Sequence, residues 1–137
     1  MCGIAGFFGK KNISKDTIDR SLVLMKNRGP DFSGYHKENI SNQKSIYLLH
    51  SRLSIIDLNQ RSNQPFVIGN YILIYNGEIY NYLELRKELE SKGVALKTNS
   101  DTEILLNYYI LYGEKCVDHF DGMWSFAIYN IAKQKLF

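Results

Sequence analysis

A cysteine lies directly behind the initiator methionine, in the opening run MCGIAGFFG. If Met1 is removed, Cys2 becomes the first residue and carries a thiol and a free α-amine together. An α-amine titrates near about 7.7–8.0, so it can serve as the general base that activates the thiol as a nucleophile. A buried strand cysteine explains the same position equally well, because cysteine is a small hydrophobic residue. The position alone leaves both interpretations open.

The stretch YNGEIYN, residues 75–81, follows a run of apolar residues. At the end of a strand, the Asn76 side-chain amide and the Gly77 backbone N–H could point at one spot. Two neutral donors that converge in this way are what an oxyanion hole requires. Asn-Gly is also a common turn dipeptide, so a plain strand-to-helix turn is the competing interpretation.

Two residues of opposite charge are candidates for binding an amino acid. Arg52 ends a hydrophobic strand pattern, where its guanidinium could bind a carboxylate through two hydrogen bonds. Asp101 is predicted at the first position of a helix, where it could bind an ammonium group. Together they suit the two charged groups of an α-amino acid, whereas separately each is typical of a surface ion pair or a helix-dipole residue.

Charge and cysteine content exclude several function classes. The 17 basic and 14 acidic residues leave a net charge of +3 and are interspersed, which argues against a nucleic-acid or membrane surface. The three histidines lack metal-ligand spacing, so no metal site is predicted, and no phosphate-binding glycine loop occurs. The two distant cysteines form no disulfide framework, and the opening run is no signal peptide, so a cytoplasmic location is expected.

The elements that must position these residues can be predicted from the pattern of apolar residues. Strands are predicted at 3–8, 32–37 and 45–53, with a helix between Ser14 and Gly29 and a hairpin turn at Gly69-Asn70. Helices follow at 81–93 and from a Ser100–Glu103 capping box to Gly113, with strands at 94–98, at 122–130 and in the closing KLF. Paired strands and separate helices predict a single α+β domain over residues 1–137.

These stretches, in this order, resemble the glutamine-hydrolysing domain of asparagine synthetases, which are class II glutamine amidotransferases with an N-terminal nucleophile. The similarity rests on MCGIAGFFG, RGPDFSG, HSRLSIIDL, QPF, YNGEIYNYLELR, SDTE and DGMWSFAIYN, and it covers essentially all 137 residues. It implies a four-layer αββα sandwich of two antiparallel sheets flanked by helices, where the patterns alone predict only α+β.

The resemblance assigns catalytic roles to three residues. Cys2, after removal of Met1, is the expected nucleophile that attacks the side-chain amide of glutamine, with its own α-amine as general base. Asn76 and Gly77 are the expected oxyanion hole. The resulting thioester on Cys2 would be hydrolysed to glutamate.

The resemblance also implies how glutamine is bound. Arg52 is expected to bind the α-carboxylate, and Asp101 the α-ammonium group with help from Glu78. The neighbouring backbone is expected to line the pocket, through Leu53, Ile55 and Ile56.

The family's domain continues beyond the point at which this chain ends, so the resemblance implies a glutaminase domain that lacks its last strands. A synthetase domain that uses ATP and magnesium to amidate aspartate would follow, so no cofactor is expected in this chain. Expected partners are glutamine and that C-terminal domain, and an open sheet edge favours self-association as a homodimer. The alternative is a catalytically silent domain that supports a synthetase acting on another carboxylate.

Overall fold

The computed structural model describes residues 2–41 and 43–137, so the expected loss of Met1 lies outside the described residues. Two 3-10 turns, Gln60–Ser62 and Gly113–His119, accompany the main elements. The strands and helices, in chain order, are β1 (Gly3–Gly9), α1 (Lys15–Met25), β2 (Phe32–Ile40), β3 (Lys44–Arg52), β4 (Phe66–Ile68), β5 (Tyr71–Ile79), α2 (Tyr82–Ser91), α3 (Asp101–Tyr112), β6 (Gly122–Asn130) and β7 (Lys135–Leu136).

The strands form two antiparallel sheets. One has the order β1-β3-β2 and the other β4-β5-β6-β7, so β3 and β5 are interior strands. In the first sheet Gly3 pairs with Ser51, and this register brings the start of the chain to the end of β3. The β4–β5 hairpin turns at Gly69-Asn70 as predicted, with Gly69 at a φ of +54° that favours glycine.

The side chains of β3 alternate between two hydrophobic layers. Tyr47 and Leu49 pack with Ile18 of α1, while Ile46 and Leu48 belong to a cluster with Ile72, Ile74 and Tyr129 of the other sheet. Residues 45–52 are therefore buried, although a one-sided strand would alternate between buried and exposed. The first sheet lies between α1 and the second sheet.

The second sheet is covered on its other face by the remaining helices. Leu73 and Ile79 of β5 share a cluster with Leu89 of α2 and with Leu105 of α3. The layer order is α1, first sheet, second sheet, then α2 with α3. The αββα arrangement implied by the resemblance is confirmed.

The helix ends agree with the sequence prediction in part. Ser14 caps α1 by accepting a hydrogen bond from the Thr17 N–H. Ser100 caps α3, which begins at Asp101 and ends at Tyr112 with Gly113 as its C-cap. Within the described residues, no helix has both the length and the apolar character that crossing a membrane requires.

The predicted strand at 94–98 is wrong, and so is one half of the capping box. Glu103 does not bond to the Ser100 N–H; its carboxylate accepts hydrogen bonds from the N–H groups of Lys97 and Thr98, at 2.7–3.0 Å, and from the Thr98 hydroxyl at 2.8 Å. Because a side chain satisfies these backbone donors, the segment needs no strand partner.

The predicted end of β5 is also wrong. The strand does not stop at Asn76 and Gly77 but continues through them to Ile79, with Asn76 opposite Ser125 and Gly77 opposite Trp124. The turn interpretation of the Asn-Gly pair therefore fails. Its glycine is required by packing, because a Cβ on Gly77 would lie 2.3 Å from the carbonyl oxygen of Met123.

We expect Glu103→Gln to lower the free energy of unfolding by about 2 kcal/mol, since hydrogen bonds to a charged acceptor contribute about 1.5–3 kcal/mol each. The amide group of glutamine would place N–H donors against backbone N–H donors. Chemical denaturation measures the change. Glu114→Gln is the control, because that exposed carboxylate pairs with Lys135 on the protein surface, and its expected effect is below about 0.5 kcal/mol. Equal effects of the two variants would contradict the prediction.

Candidate active site

A pocket opens where β3 and β5 approach the first turn of α3. Its empty volume is about 460 Å³, including the opening to solvent. Eight of the nine residues predicted from the sequence line it: Cys2, Arg52, Leu53, Ile55, Ile56, Gly77, Glu78 and Asp101. Asn76 is not among the lining residues.

Cys2 precedes β1 and lies half-buried against the residue that follows β3. The Leu53 N–H donates a hydrogen bond to Sγ at 3.4 Å, and the Leu53 carbonyl oxygen lies 3.7 Å from the thiol. The Arg28 Nε–H donates to the carbonyl oxygen of Cys2 at 3.0 Å. The backbone and the thiol of Cys2 are thus both held in place.

Arg52 is a buried cation whose guanidinium is held by a loop. Nη1 donates to the Asn59 carbonyl oxygen at 3.0 Å and to Asn63 Oδ1 at 2.7 Å, and Nη2 donates to the carbonyl oxygen of Asp57. A guanidinium has five N–H donors, so Nε–H and one Nη2–H have no partner among the described residues. These two adjacent donors can bind one carboxylate.

Asp57 fixes that loop to the opposite wall of the pocket. Its Oδ2 accepts a hydrogen bond from the Asn99 N–H at 2.8 Å, and its Oδ1 accepts one from the Asn59 N–H at 3.1 Å. Burial opposes ionisation, but these hydrogen bonds outweigh it and lower the pKa of Asp57 to about 2. One ionised side chain therefore links the loop that holds Arg52 to the segment that precedes Asp101.

Asp101 is a buried carboxylate with no basic partner among the described residues. Its Oδ2 accepts hydrogen bonds from the Tyr75 hydroxyl at 2.8 Å and from the Ile79 N–H at 3.2 Å. Burial raises the pKa of Asp101, and the nearby Glu78 carboxylate adds to the increase. A bound ammonium group would supply the missing positive charge.

Asn76 and Gly77 differ in their relation to the pocket. Gly77 lines it directly, whereas the side-chain oxygen of Asn76 is buried and has no hydrogen-bond partner among the described residues. The hydrogen-bonding capacity of this amide is therefore not fully used within the described part of the chain.

Several lining residues were not predicted from the sequence. Gln64 accepts a hydrogen bond from the Tyr75 N–H at 2.6 Å and donates one to the Thr102 hydroxyl at 3.3 Å, which ties the loop to β5 and α3. The QPF motif contained Gln64, but its spacing indicated no contact. The others are Ser62, Tyr75, Ser100 and Thr102.

The fold and the site together define a class of protein. It is an αββα sandwich in which a cysteine directly before the first strand lines a pocket that also contains one guanidinium and two carboxylates. A structure of glutamine phosphoribosylpyrophosphate amidotransferase from Bacillus subtilis is similar, with a TM-score of 0.52 and 25% identity over 64% of this chain and 21% of that one. The family model described as a glutamine amidotransferase domain matches residues 1–137. The chain belongs to this family.

The curated relatives are longer proteins. Asparagine synthetase [glutamine-hydrolyzing] 3 of Bacillus subtilis is 38% identical over 100% of this chain and 22% of its own length. A putative asparagine synthetase [glutamine-hydrolyzing] 2 of Methanocaldococcus jannaschii is 38% identical over 100% of this chain and 29% of its own length. The chain thus spans less than a third of these relatives and matches their N-terminal parts.

We expect Asp101→Asn to raise the free energy of unfolding by about 1 kcal/mol at pH 7. A stabilisation of this size is usual when a functional group that destabilises the fold is replaced. Asparagine keeps an oxygen that can accept from Tyr75 and Ile79 but removes the buried charge. Because the pKa of Asp101 is raised in the folded state, the ionised carboxylate destabilises the fold fully above that pKa. This destabilisation is absent below the ordinary value of 3.8. The gain should therefore disappear as the pH falls below about 4.

Chemical denaturation at pH 7 and pH 3.5 measures this difference. Asp118→Asn, at an exposed position, is the control and should change little at either pH. A loss of stability in Asp101→Asn at pH 7 would show that the carboxylate stabilises the empty site.

Proposed function

We propose that this chain hydrolyses the side-chain amide of glutamine, with Cys2 as the nucleophile. The observation that carries the proposal is a single pocket that joins the Cys2 thiol to two buried groups of opposite charge, Arg52 and Asp101. An α-amino acid has one carboxylate and one ammonium group, and these need opposite partners. Its side chain can then extend toward the thiol.

The binding groups have the chemistry that this substrate requires. The two remaining donors of Arg52 suit the α-carboxylate, because charge-assisted pairs of hydrogen bonds are strong and specific. Asp101, with Glu78 nearby, suits the α-ammonium group. The apolar part of the substrate would contact the lining residues Leu53, Ile55 and Ile56.

The proposed reaction has two steps. The Cys2 α-amine takes the thiol proton while sulfur attacks the amide carbon, and the Asn76 amide and the Gly77 N–H stabilise the oxyanion. Collapse of this intermediate expels ammonia, which takes the proton from the amine, and leaves a thioester. Water then hydrolyses the thioester to glutamate. Because the amine must be free, a chain that retains Met1 is expected to release no glutamate.

The ammonia would be used by another domain. The longer relatives contain a synthetase part that has no counterpart in these 137 residues. We propose that such a domain is the partner of this one and amidates aspartate. The hydrolysis uses only a thiol, an amine and neutral donors, so we assign ATP and magnesium to that domain. No group of three or more potential metal ligands occurs in residues 2–41 and 43–137. A cytoplasmic location stays a prediction.

The homodimer also stays a prediction. β1 and β7 are edge strands among the described elements, and the exposed side chains of Phe8 and Leu136 line an apolar groove between the sheets. Unpaired strand edges with apolar neighbours favour association.

Alkylation by a glutamine analogue that carries a diazoketone in place of the amide tests the proposal without requiring turnover. We expect one adduct, on Cys2, which excess glutamine prevents. Cys116 is an internal control, because it is buried and burial raises the pKa of its thiol to about 11. Mass spectrometry of peptides locates the adduct. Labelling of neither cysteine, or labelling that glutamine does not slow, would favour the catalytically silent alternative.

We expect Arg52→Lys to raise the KM for glutamine by about 100-fold, because each hydrogen bond to a charged group contributes about 1.5–3 kcal/mol. Lysine keeps the charge but cannot present two parallel donors. Glutamate release as a function of glutamine concentration measures the change. Arg20→Lys is the matched control, since Arg20 is exposed on α1 and pairs with Asp16. An unchanged KM in Arg52→Lys would remove Arg52 from carboxylate binding.

A further inference from the structure

His50 is a polar residue on a face of β3 that is otherwise apolar until the pocket begins. The alternation of the strand puts it on the same face as Ile46 and Leu48, which pack between the two sheets, and as Arg52, which lines the pocket. His50 is fully buried. It lies where the core of the sandwich becomes the site.

The His50 ring joins the two sheets. Its Nε2 lies 3.1 Å from the carbonyl oxygen of Tyr75 on β5. Within residues 2–41 and 43–137 this is the only hydrogen bond between a strand of one sheet and a strand of the other. The strands of the two sheets otherwise contact each other across the sandwich through apolar packing, which resists sliding less specifically than a directional bond does. At the far end of the strands, a side-chain hydrogen bond from Ser41 to Gln134 joins the turns that adjoin them.

The protonation of the ring follows from this contact. A carbonyl oxygen can only accept, so Nε2 must carry the proton and donate it. Nδ1 is then a bare acceptor, and it has no partner among the described residues. Burial lowers the pKa of His50 to about 4, so the ring is neutral at pH 7.

The structure assigns His50 a positioning role: it holds the Tyr75 carbonyl group and thereby fixes Asn76 and Gly77 of β5 relative to Cys2 and Arg52 on the first sheet. This assignment rests on the proposed function. The Tyr75 carbonyl and the Asn76 N–H belong to one planar peptide unit. A bond to that oxygen therefore sets the orientation of the backbone from which both proposed oxyanion donors project.

A role in packing alone does not explain the residue. A leucine would continue the apolar face of Ile46 and Leu48 and would bury no unpaired ring nitrogen, but it would leave the buried Tyr75 carbonyl without this donor, and either unpaired group costs about 1–3 kcal/mol. What His50 adds beyond this exchange is a directional bond that fixes the position of the bonded carbonyl group. Catalytic donors must be held to about 0.5 Å, and the other sheet carries the nucleophile.

The test compares His50→Leu, which removes the donor, with His50→Gln, whose side-chain NH₂ can reach the same carbonyl. Leu48→Ala is the matched control, because it lies on the same face two residues earlier and creates a cavity without touching the bond. We expect the amide NMR signals of Asn76 and Gly77 to shift in His50→Leu and to return toward wild type in His50→Gln. Leu48→Ala should leave these two signals in place.

Kinetics provide the second readout. We expect the kcat of glutamine hydrolysis to fall at least about 10-fold in His50→Leu, since loss of one oxyanion donor costs about 10²–10³. The KM should change far less, because Arg52 and Asp101 stay in place. His50→Gln should recover most of the kcat, and Leu48→Ala should lose stability but keep its kcat.

Two results would overturn the assignment: unshifted Asn76 and Gly77 signals in His50→Leu, or shifts and kcat losses of equal size in Leu48→Ala. A wild-type chain that neither hydrolyses glutamine nor is labelled on Cys2 contradicts the proposed function instead. The NMR comparison still decides in that case whether His50 holds the Asn76–Gly77 segment.

Discussion

The antiparallel pairing of β1 with β3 decides where Cys2 lies. Because Gly3 pairs with Ser51, Cys2 comes to rest beside Leu53, one residue beyond Arg52. A shift of this pairing by one residue would turn every side chain of β1 to the opposite face and separate the thiol from the pocket. Ile4 of β1 packs between the two sheets and Phe7 packs on the α1 side, so such a shift would exchange them and disturb both hydrophobic layers. These layers therefore maintain the geometry of the site.

Much of this arrangement could be predicted from the sequence, and the two failures have different causes. The mostly apolar run at 45–53 and the Ser100 cap indicated β3 and the start of α3, which placed Arg52 and Asp101 in these elements. The strand predicted at 94–98 failed because the Glu103 carboxylate, five to six residues further on, accepts from the N–H groups of Lys97 and Thr98 and replaces a strand partner. The early end of β5 failed because its partner strand β6 lies far along the chain and continues to pair with Asn76 and Gly77, which no local pattern indicates.

Two buried polar groups oppose local stability in the same region. Asp101 is held without a cation, and His50 leaves one ring nitrogen unpaired within the described part of the chain. Apolar packing would be satisfied better by another residue at position 50, and although the first turn of α3 suits a negative charge, the burial of Asp101 opposes its ionisation. Departures of this kind concentrate at functional sites, where the geometry of a group matters more than its contribution to folding.

The link that Asp57 makes between the loop around Arg52 and the segment before Asp101 has a consequence for stereochemistry. It fixes the separation of the cationic and anionic walls, while the β1–β3 pairing independently fixes the thiol. Three fixed points that do not lie on one line can distinguish mirror images. If an amino acid binds through all three, its carboxylate, ammonium group and side chain must be arranged around Cα with one handedness. The opposite enantiomer could satisfy only two of them.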